Sequence, residues 1–185
     1  MSISIATNNS TQQSDRRIAA IVTESADRSD EIIDRVISNL QDQGQLVAGL
    51  RQRLIPGVDT GCGVRLEDIQ TGELHRITQN LGNGSISCNI DTAAVERLAL
   101  NQCSALNENI NLLFVNRFGK QESEGRGFRG VMERAIELDI PVLTAVRKSS
   151  LQAWIDYGGD WVTTLPVCEN HIQLWCESAI STTDL

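Results

Sequence analysis

Short, continuous apolar runs recur along the chain and alternate with segments of helical periodicity. The clearest runs are IAAIV (18–22), NLLFV (111–115) and IPVLTAV (140–146), none of which shows the polar alternation of a half-exposed strand. Such runs are typical of parallel strands that are buried on both faces. Between the last two runs, residues 128–138 carry an apolar side chain every three or four positions, which indicates a helix. The alternation predicts an α/β fold, a three-layer sandwich with a mostly parallel sheet.

Weaker patterns complete this prediction. LVAGL (46–50) and WVTTL (161–165) are expected to form two further strands, and the turn-rich stretch 64–78 an inserted β-hairpin. Ser29 and Asp91 precede apolar residues at helical spacing, and both are good helix-capping residues. The sequence therefore predicts strands and helices in regular alternation, interrupted by one hairpin.

Length and composition predict one α/β domain over residues 18–179, because 185 residues with 41% hydrophobic content suffice for one core. The polar residues 1–17 are expected to be a disordered tail and 180–185 a flexible one. No signal peptide or transmembrane run is found. The five cysteines are odd in number and form no C-x-x-C pair, which favours a reducing compartment. We expect a cytoplasmic protein without membrane insertion.

The chain is acidic, with a net charge of −8 and a pI near 4.7. A nucleic acid or an anionic membrane surface attracts proteins with large basic patches. This composition therefore argues against both as the main partner.

Cations follow three of the predicted strands at the point where each strand ends. In an open parallel sheet, ligands bind at the carboxyl ends of the strands, so this placement indicates an anion site. The only two lysines of the chain are both among these residues. The polar residues that follow the strands are Arg51, Arg53, Asn116, Arg117, Lys120, Arg147 and Lys148.

The segment LLFVNRFGKQESEGRGFRG (112–130) contains the densest group of these charges. After the apolar run it carries four cations and only two acids, Glu122 and Glu124. Converging guanidinium and ammonium groups suit phosphate, carboxylate or a tetrahedral metal oxyanion. Alternatively the charges pair with one another on a solvated rim. We expect Glu122 to pair with Arg126, four residues on, although a role for Glu122 as a single base stays open.

The parts needed for nucleotide hydrolysis are missing. A phosphate-binding loop needs glycines and a lysine after the first strand, but the chain has TESADRSD (23–30) there. The strand 111–115 ends in Asn116 and Arg117 rather than in acids that would hold magnesium and position water. Whether the protein is an enzyme stays open, and the missing elements argue against it.

The stretches LVAGLRQR, DIQTGELHRI, LLFVNRFGKQESEGRG and IPVLTAVR resemble a bacterial family of unknown function, domain-of-unknown-function family 2478. The resemblance covers residues 18–177. It implies a fold like that of the P-loop nucleoside triphosphatases and an association with molybdate-transport ATP-binding components. Arg117 stands where lysine is expected. The motif positions that it singles out are Asn116, Phe118, Gly119, Lys120, Gln121, Glu122, Glu124, Gly125, Arg126 and Gly127.

Two cysteines, Cys62 and Cys88, lie in polar loops. They resemble cysteine-bearing stretches of the same family, and we treat them as a hypothetical redox-active or soft-metal pair. Neither histidine, His75 or His171, stands at ligand spacing, so no metal site is predicted.

Three functional hypotheses follow. The first is a non-hydrolysing protein that binds an anion or a nucleotide and is accessory to molybdenum or tungsten oxyanion handling, a link that only the resemblance implies. The second is a low-turnover enzyme acting on a nucleotide or phosphorylated substrate. The third is an interaction scaffold with a protein partner or a homodimer, for which exposed Trp154, Trp161 or Trp175 would be a sign, although we expect them to pack in the core. The cofactor is not identified.

Overall fold

A computed structural model describes residues 17–24, 26–54, 64–78 and 90–182. Cys62, Cys88 and residues 1–16 of the predicted tail lie outside these ranges. At the other end, the predicted flexible tail from residue 180 starts too early. The last helix continues to Ser181, because Ile180 is buried against the core and extends the apolar face.

Seven strands and six helices are described. The strands are β1 (Ile18–Thr23), β2 (Val47–Leu54), β3 (Val64–Asp68), β4 (Leu74–Arg76), β5 (Leu112–Phe118), β6 (Val142–Arg147) and β7 (Val162–Leu165). The helices are α1 (Ala26–Asp42), α2 (Thr92–Ala105), α3 (Lys120–Ser123), α4 (Arg129–Glu137), α5 (Leu151–Gly158) and α6 (Glu169–Ser181). Short 3₁₀ turns, Lys148–Ser150 and Gly159–Trp161, flank α5.

The strands form one mixed sheet in the order β4-β3-β2-β5-β6-β1-β7. Five adjacent strands of this sheet are parallel to one another, namely β2, β5, β6, β1 and β7. β3 and β4 extend the sheet beyond β2 as an antiparallel hairpin. The predicted α/β sandwich with a mostly parallel sheet and an inserted hairpin is confirmed, because the continuous apolar runs are the strands that helices cover on both faces.

Two apolar clusters lie on opposite faces of the sheet. One contains α1 and α6, and the other contains α2, α4 and α5. Successive strand residues point to opposite faces, so Val47 packs on the α1 side while Ala48 and Leu50 pack on the α2 side. This alternation continues to the end of β2 and decides where the polar residues there point.

Asp91 caps α2 as predicted, since its side chain accepts a hydrogen bond from the backbone N–H of Ala94 at 3.0 Å. Gly49 has a different local role in β2. Its φ is +112°, and a Cβ there would collide with the backbone carbonyl of Phe114 on β5. Glycine therefore permits the close approach of β2 and β5 that brings their carboxyl ends together.

Candidate functional site

A cavity of about 530 Å³ lies at the carboxyl ends of β2, β5 and β6, on the α2 side of the sheet. The strand-end cations in the sequence predict a ligand at this edge. Seven of the residues that line the cavity were not singled out from the sequence, and these come from β2, from the hairpin region, from α2 and from the residue before α4. The residues that line the cavity are Gln52, Leu66, Ile77, Thr78, Ile90, Val95, Asn116, Arg117, Gly119, Lys120, Gln121, Glu122, Phe128 and Arg147.

β5 delivers two predicted site residues to this cavity through an irregularity. Its register with β6 shifts between Val115 and Phe118, and Asn116 and Arg117 both line the cavity from that segment. Irregular strand segments of this kind redirect side chains and are frequent beside binding sites. The motif VNRF thus combines a buried strand with a local break at its carboxyl end.

The surroundings of Arg117 disfavour its positive charge. Burial lowers the pKa of its guanidinium, nearby Arg147 lowers it further, and Asp30 in the second turn of α1 opposes both effects. Within the described part of the chain, Arg117 Nε is buried and has no hydrogen-bond partner. A buried unpaired donor costs about 1–3 kcal/mol, and more when the group is charged. An anion placed between Arg117 and Arg147 would relieve both the repulsion and the missing hydrogen bond.

Lys120 and Arg147 reach the cavity from the solvent side. The Lys120 side chain is 87% exposed and its Nζ lies 3.8 Å from Glu124. Arg147 is the exposed last residue of β6. The structure thus places Asn116, Arg117, Lys120 and Arg147 around one cavity, as expected, with Arg117 the deepest of the three cations.

Glu122 was expected to pair with Arg126, and that prediction is wrong. Helix α3 ends at Ser123, so the spacing of four residues does not put the two side chains together. Glu122 is instead buried and accepts hydrogen bonds from the backbone N–H groups of Gly119, at 3.0 Å, and Phe128, at 3.2 Å. Arg126 pairs with Glu124. The acids of the motif therefore organise its loop.

Gly127 explains part of the glycine content of this motif. Its φ is +61°, and a Cβ there would lie 2.5 Å from Glu122 Oε1. Its backbone N–H donates to Glu96 of α2 at 2.9 Å. Two carboxylates, Glu96 and Glu122, thus hold the turn between α3 and α4 through backbone N–H groups. The turn carries Phe128 to the wall of the cavity.

Arg51 and Arg53 were predicted to follow β2, but both lie within it. β2 continues to Leu54 because it pairs with β3. Both arginines point to the α1 side, away from the cavity, where they form ion pairs with Asp34 of α1 and Glu67 of β3. Their charges are therefore compensated, and we leave them out of the candidate site.

The loop after β1 carries a charge pair instead of a phosphate-binding sequence. Glu24 accepts a hydrogen bond from Lys148 Nζ at 2.9 Å. That hydrogen bond, with the attraction between the two charges, lowers the pKa of Glu24 and raises the pKa of Lys148. Lys148 thus lies at the predicted edge of the sheet, but its charge is matched by an acid.

The chain matches, over residues 18–175, the model of a family described as "Protein of unknown function (DUF2478)". The chain belongs to this family. The resemblance drawn from its motifs is therefore confirmed.

Two similar proteins show the wider relationship of this DUF2478 chain. It is 36% identical over 162 residues to the "Molybdenum import ATP-binding protein ModC 2" of Bradyrhizobium diazoefficiens. That match covers 86% of this chain but 18% of the relative, so the chain spans less than a fifth of the relative's length. The solution structure of a human cancer-related nucleoside triphosphatase aligns with a TM-score of 0.63 at 11% identity, over 90% of this chain and 96% of the other. At that identity the alignment shows a shared fold.

The described thiols of the DUF2478 chain lie away from the cavity. Cys176 is fully buried in α6, and burial raises its pKa. Cys103 of α2 is partly buried against the core, and burial raises its pKa as well. The pairing of Cys62 and Cys88 stays a prediction, since both lie outside the described residues. In the described ranges, no three His, Cys, Asp or Glu side chains gather as a metal site.

The three tryptophans differ in burial. Trp154 is fully buried, and its ring lies 5.2 Å from that of Phe118. Trp175 packs partly buried against the other apolar cluster. Trp161 is 73% exposed, so the prediction that it packs in the core is wrong. It ends the 3₁₀ turn that precedes the edge strand β7, and it is uncovered because β7 has only one neighbouring strand. No helix among the described residues is long and apolar enough to cross a membrane.

Proposed function

We propose that this protein binds an anionic ligand, an oxyanion or the phosphate group of a nucleotide, between Arg117 and Arg147. The observation that carries the proposal is the half-buried Arg117 guanidinium. It is destabilised by burial and by Arg147, and its Nε lacks a partner among the described residues. A fold tolerates such a group where a ligand completes it. Asn116 supplies a neutral donor and acceptor beside it.

The cavity is locally positive although the protein as a whole is acidic. The protein carries −8 in total, so long-range attraction would draw cations rather than anions to its surface. Three cationic side chains, Arg117, Lys120 and Arg147, nevertheless line one cavity. The acid in the same lining, Glu122, is directed to backbone N–H groups. An anion thus meets a locally positive end of the cavity.

We propose that the ligand is bound without hydrolysis. Both oxygens of Glu122 accept backbone hydrogen bonds, and Glu124 pairs with Arg126. A general base must reach the attacking group through hydrogen bonds that are free to it. The hypothesis of a low-turnover enzyme with Glu122 or Glu124 as base therefore has less support than binding alone. The sequence at the β1 loop and at the end of β5 supports the same conclusion.

The physiological context of the ligand is proposed from similarity. A relative 36% identical over most of this chain is named a molybdenum import ATP-binding protein. We propose on this ground that the protein is accessory to the handling of molybdenum or tungsten oxyanions. The anion site in the cavity can be tested independently of that context.

Equilibrium binding to the full chain tests the proposed site. Phosphate, molybdate, tungstate, ATP and GTP are titrated by calorimetry at low salt into wild type, Arg117→Gln and Arg134→Gln. The control Arg134 lies on α4 and pairs with Glu137 in solvent, outside the cavity lining. We expect Arg117→Gln to lose at least tenfold in affinity, since charged hydrogen bonds contribute about 1.5–3 kcal/mol. The control should bind as wild type does.

Two results would overturn the proposal. One is that no anion of this set binds to wild type, and the other is that Arg117→Gln binds as tightly as the control. Steady release of phosphate from ATP or GTP by wild type would contradict the non-hydrolysing part alone. In that case Glu122→Gln would show whether a motif acid takes part.

A further inference from the structure

We infer that the ligand is an organic anion, a molecule in which a phosphate or carboxylate group is attached to an apolar or aromatic body. This inference rests on the proposed anion site and names the class of ligand that fits it. A free inorganic oxyanion would occupy the cationic end of the cavity alone.

The lining of the cavity is divided along the order of the strands. Its cations belong to β5, β6 and α3, while Leu66 lies on β3 and Ile77 follows β4. From β3 to β5, the strand that carries Arg117, the sheet runs through β2. Two strand spacings make about 10 Å, because neighbouring strands lie about 4.8 Å apart. The two ends of the cavity thus differ in chemistry and are separated by a molecular length.

The end away from the cations is apolar. Four hydrophobic side chains from β3, from α2 and from the residues after β4 line it, and a fifth lining residue, just before α4, lies nearer the cations. They are Leu66, Ile77, Ile90, Val95 and, nearer the cations, Phe128. Four of the five are less than 10% exposed, whereas Ile90 is 49% exposed. An apolar wall beside an anion site gains free energy only from a ligand with carbon groups to bury against it.

Two neutral polar side chains also line the cavity, one between these ends and one at the hairpin side. Gln52 belongs to the face of β2 that carries Ala48 and Leu50, and it adjoins β5 with Asn116. Thr78 lies beside Ile77 on the hairpin side. Amides and hydroxyls in such a position can each donate and accept hydrogen bonds. They suit a ligand with ring nitrogens, carbonyls or hydroxyls between its anion and its apolar part.

The volume of the cavity agrees with this class of ligand. At about 530 Å³ it falls within the roughly 300–1,000 Å³ of sites that enclose drug-sized molecules. A water molecule takes about 30 Å³ of liquid, and an oxyanion with four oxygens around one atom takes only a few times that. Most of the cavity would remain filled by water with a bare oxyanion, while an organic anion would displace it.

A matched pair of probes tests the inference. Inorganic phosphate and phenyl phosphate present similar anionic groups, and the second adds one aromatic ring. Both are titrated by calorimetry into wild-type full-length chain. We expect phenyl phosphate to bind at least tenfold more tightly, with the heat capacity change more negative because apolar surface is buried.

Two variants locate the apolar body, and one serves as a control. Ile90→Ser removes a half-exposed wall residue with little effect on packing, and Val95→Thr places a hydroxyl in the buried wall. Leu100→Ser removes an apolar side chain that is 67% exposed on α2 and outside the cavity. We expect Ile90→Ser and Val95→Thr each to reduce the ratio of phenyl phosphate affinity to phosphate affinity at least threefold. Leu100→Ser should change neither.

The outcomes separate the two proposals. If phosphate binds in an Arg117-dependent way and phenyl phosphate binds no more tightly, the anion site stands and the organic ligand is excluded. If phenyl phosphate is preferred but Ile90→Ser keeps the full preference, the apolar wall has no part and the inference fails. If neither probe binds to wild type, both proposals fail.

Discussion

Two pairs of arginines lie on adjacent strands of the sheet, one pair on β2 and the other on β5 and β6, and their electrostatic surroundings are opposite. Arg51 and Arg53 of β2 share Asp34 and Glu67 on the α1 side of the sheet. Arg117 and Arg147 instead line the cavity, where burial and the charge of Arg147 both lower the pKa of Arg117. In the first case the arginines form ion pairs that stabilise the hairpin. In the second case their positive charges have no acidic partner in the described cavity lining that is free to pair with them. Compensation, more than the number of cations, thus distinguishes a structural ion cluster from a binding site.

The largest effect is expected from breaking the compensated pair. Glu67→Gln removes the carboxylate that Arg51 and Arg53 share. Since the Glu67 side chain is 17% exposed, we expect a loss of about 2 kcal/mol in the free energy of unfolding, below the roughly 3–5 kcal/mol of a fully buried pair. Urea unfolding followed by circular dichroism measures it.

Glu73→Gln is the matched control for this variant. Glu73 precedes β4 on the same hairpin, but its side chain is 70% exposed, so its loss should cost less than about 0.5 kcal/mol. Equal effects of Glu67→Gln and Glu73→Gln would mean that the cluster does not stabilise the hairpin.

The difference in unfolding free energy between wild type and Glu67→Gln should depend on pH through the ionisation of Glu67. The hydrogen bond from Arg51, with that from Arg53, holds the pKa of Glu67 below its ordinary value of 4.5 in spite of partial burial. A carboxylate with a depressed pKa stabilises the fold above its unfolded pKa, and this contribution is lost as the pH falls through the folded value. The gap between wild type and Glu67→Gln should therefore be constant from pH 7 to 5 and shrink below 4.5. A gap that widens on acidification would contradict this assignment.

Loss of an arginine from the uncompensated pair should raise the free energy of unfolding, whereas loss of an arginine from the compensated pair should lower it. Arg117→Met removes a half-buried charge whose Nε lacks a partner in the described structure. In buffer without phosphate we expect a gain of about 1 kcal/mol in unfolding free energy, since methionine fills the space without a desolvation cost. Arg53→Met, the same change in the compensated cluster, should instead destabilise by about 1 kcal/mol. If Arg117→Met is the more destabilising of the two, Arg117 has a structural partner and the proposed site loses its basis.

The fold could be predicted from sequence because buried strands leave a direct record in continuous apolar runs. IAAIV, NLLFV and IPVLTAV became β1, β5 and β6 with small changes at their ends. The polar end of β2 shows no apolar run that would predict a strand. Arg51 and Arg53 look like loop residues, and only the pairing of β2 with β3 makes them part of a strand. Tertiary pairing thus decided which face they occupy.

The candidate site was predictable in its charged half alone. Asn116, Arg117, Lys120 and Arg147 follow apolar runs, so strand ends locate them. The spacing of Glu122 and Arg126 suggested a helical pair, but α3 is too short for that geometry. The apolar wall had no local signal, because Leu66, Ile77 and Val95 meet through folding of distant segments. Gln52 could have been found, since it is the polar residue on the alternating face of Ala48 and Leu50.

Added salt should have the smallest effect on the free energy of unfolding. A comparison of two salts should distinguish screening of the arginine charges from binding of an anion. At 1 M ionic strength the Debye length falls to about 3 Å, so the repulsion between Arg117 and Arg147 weakens. Sodium chloride should then narrow the gap between wild type and Arg117→Met by a few tenths of a kcal/mol. Sodium phosphate at the same ionic strength should narrow it further, because a bound anion stabilises the native wild type by mass action. Equal narrowing in both salts would mean that the two arginines repel each other without forming an anion site.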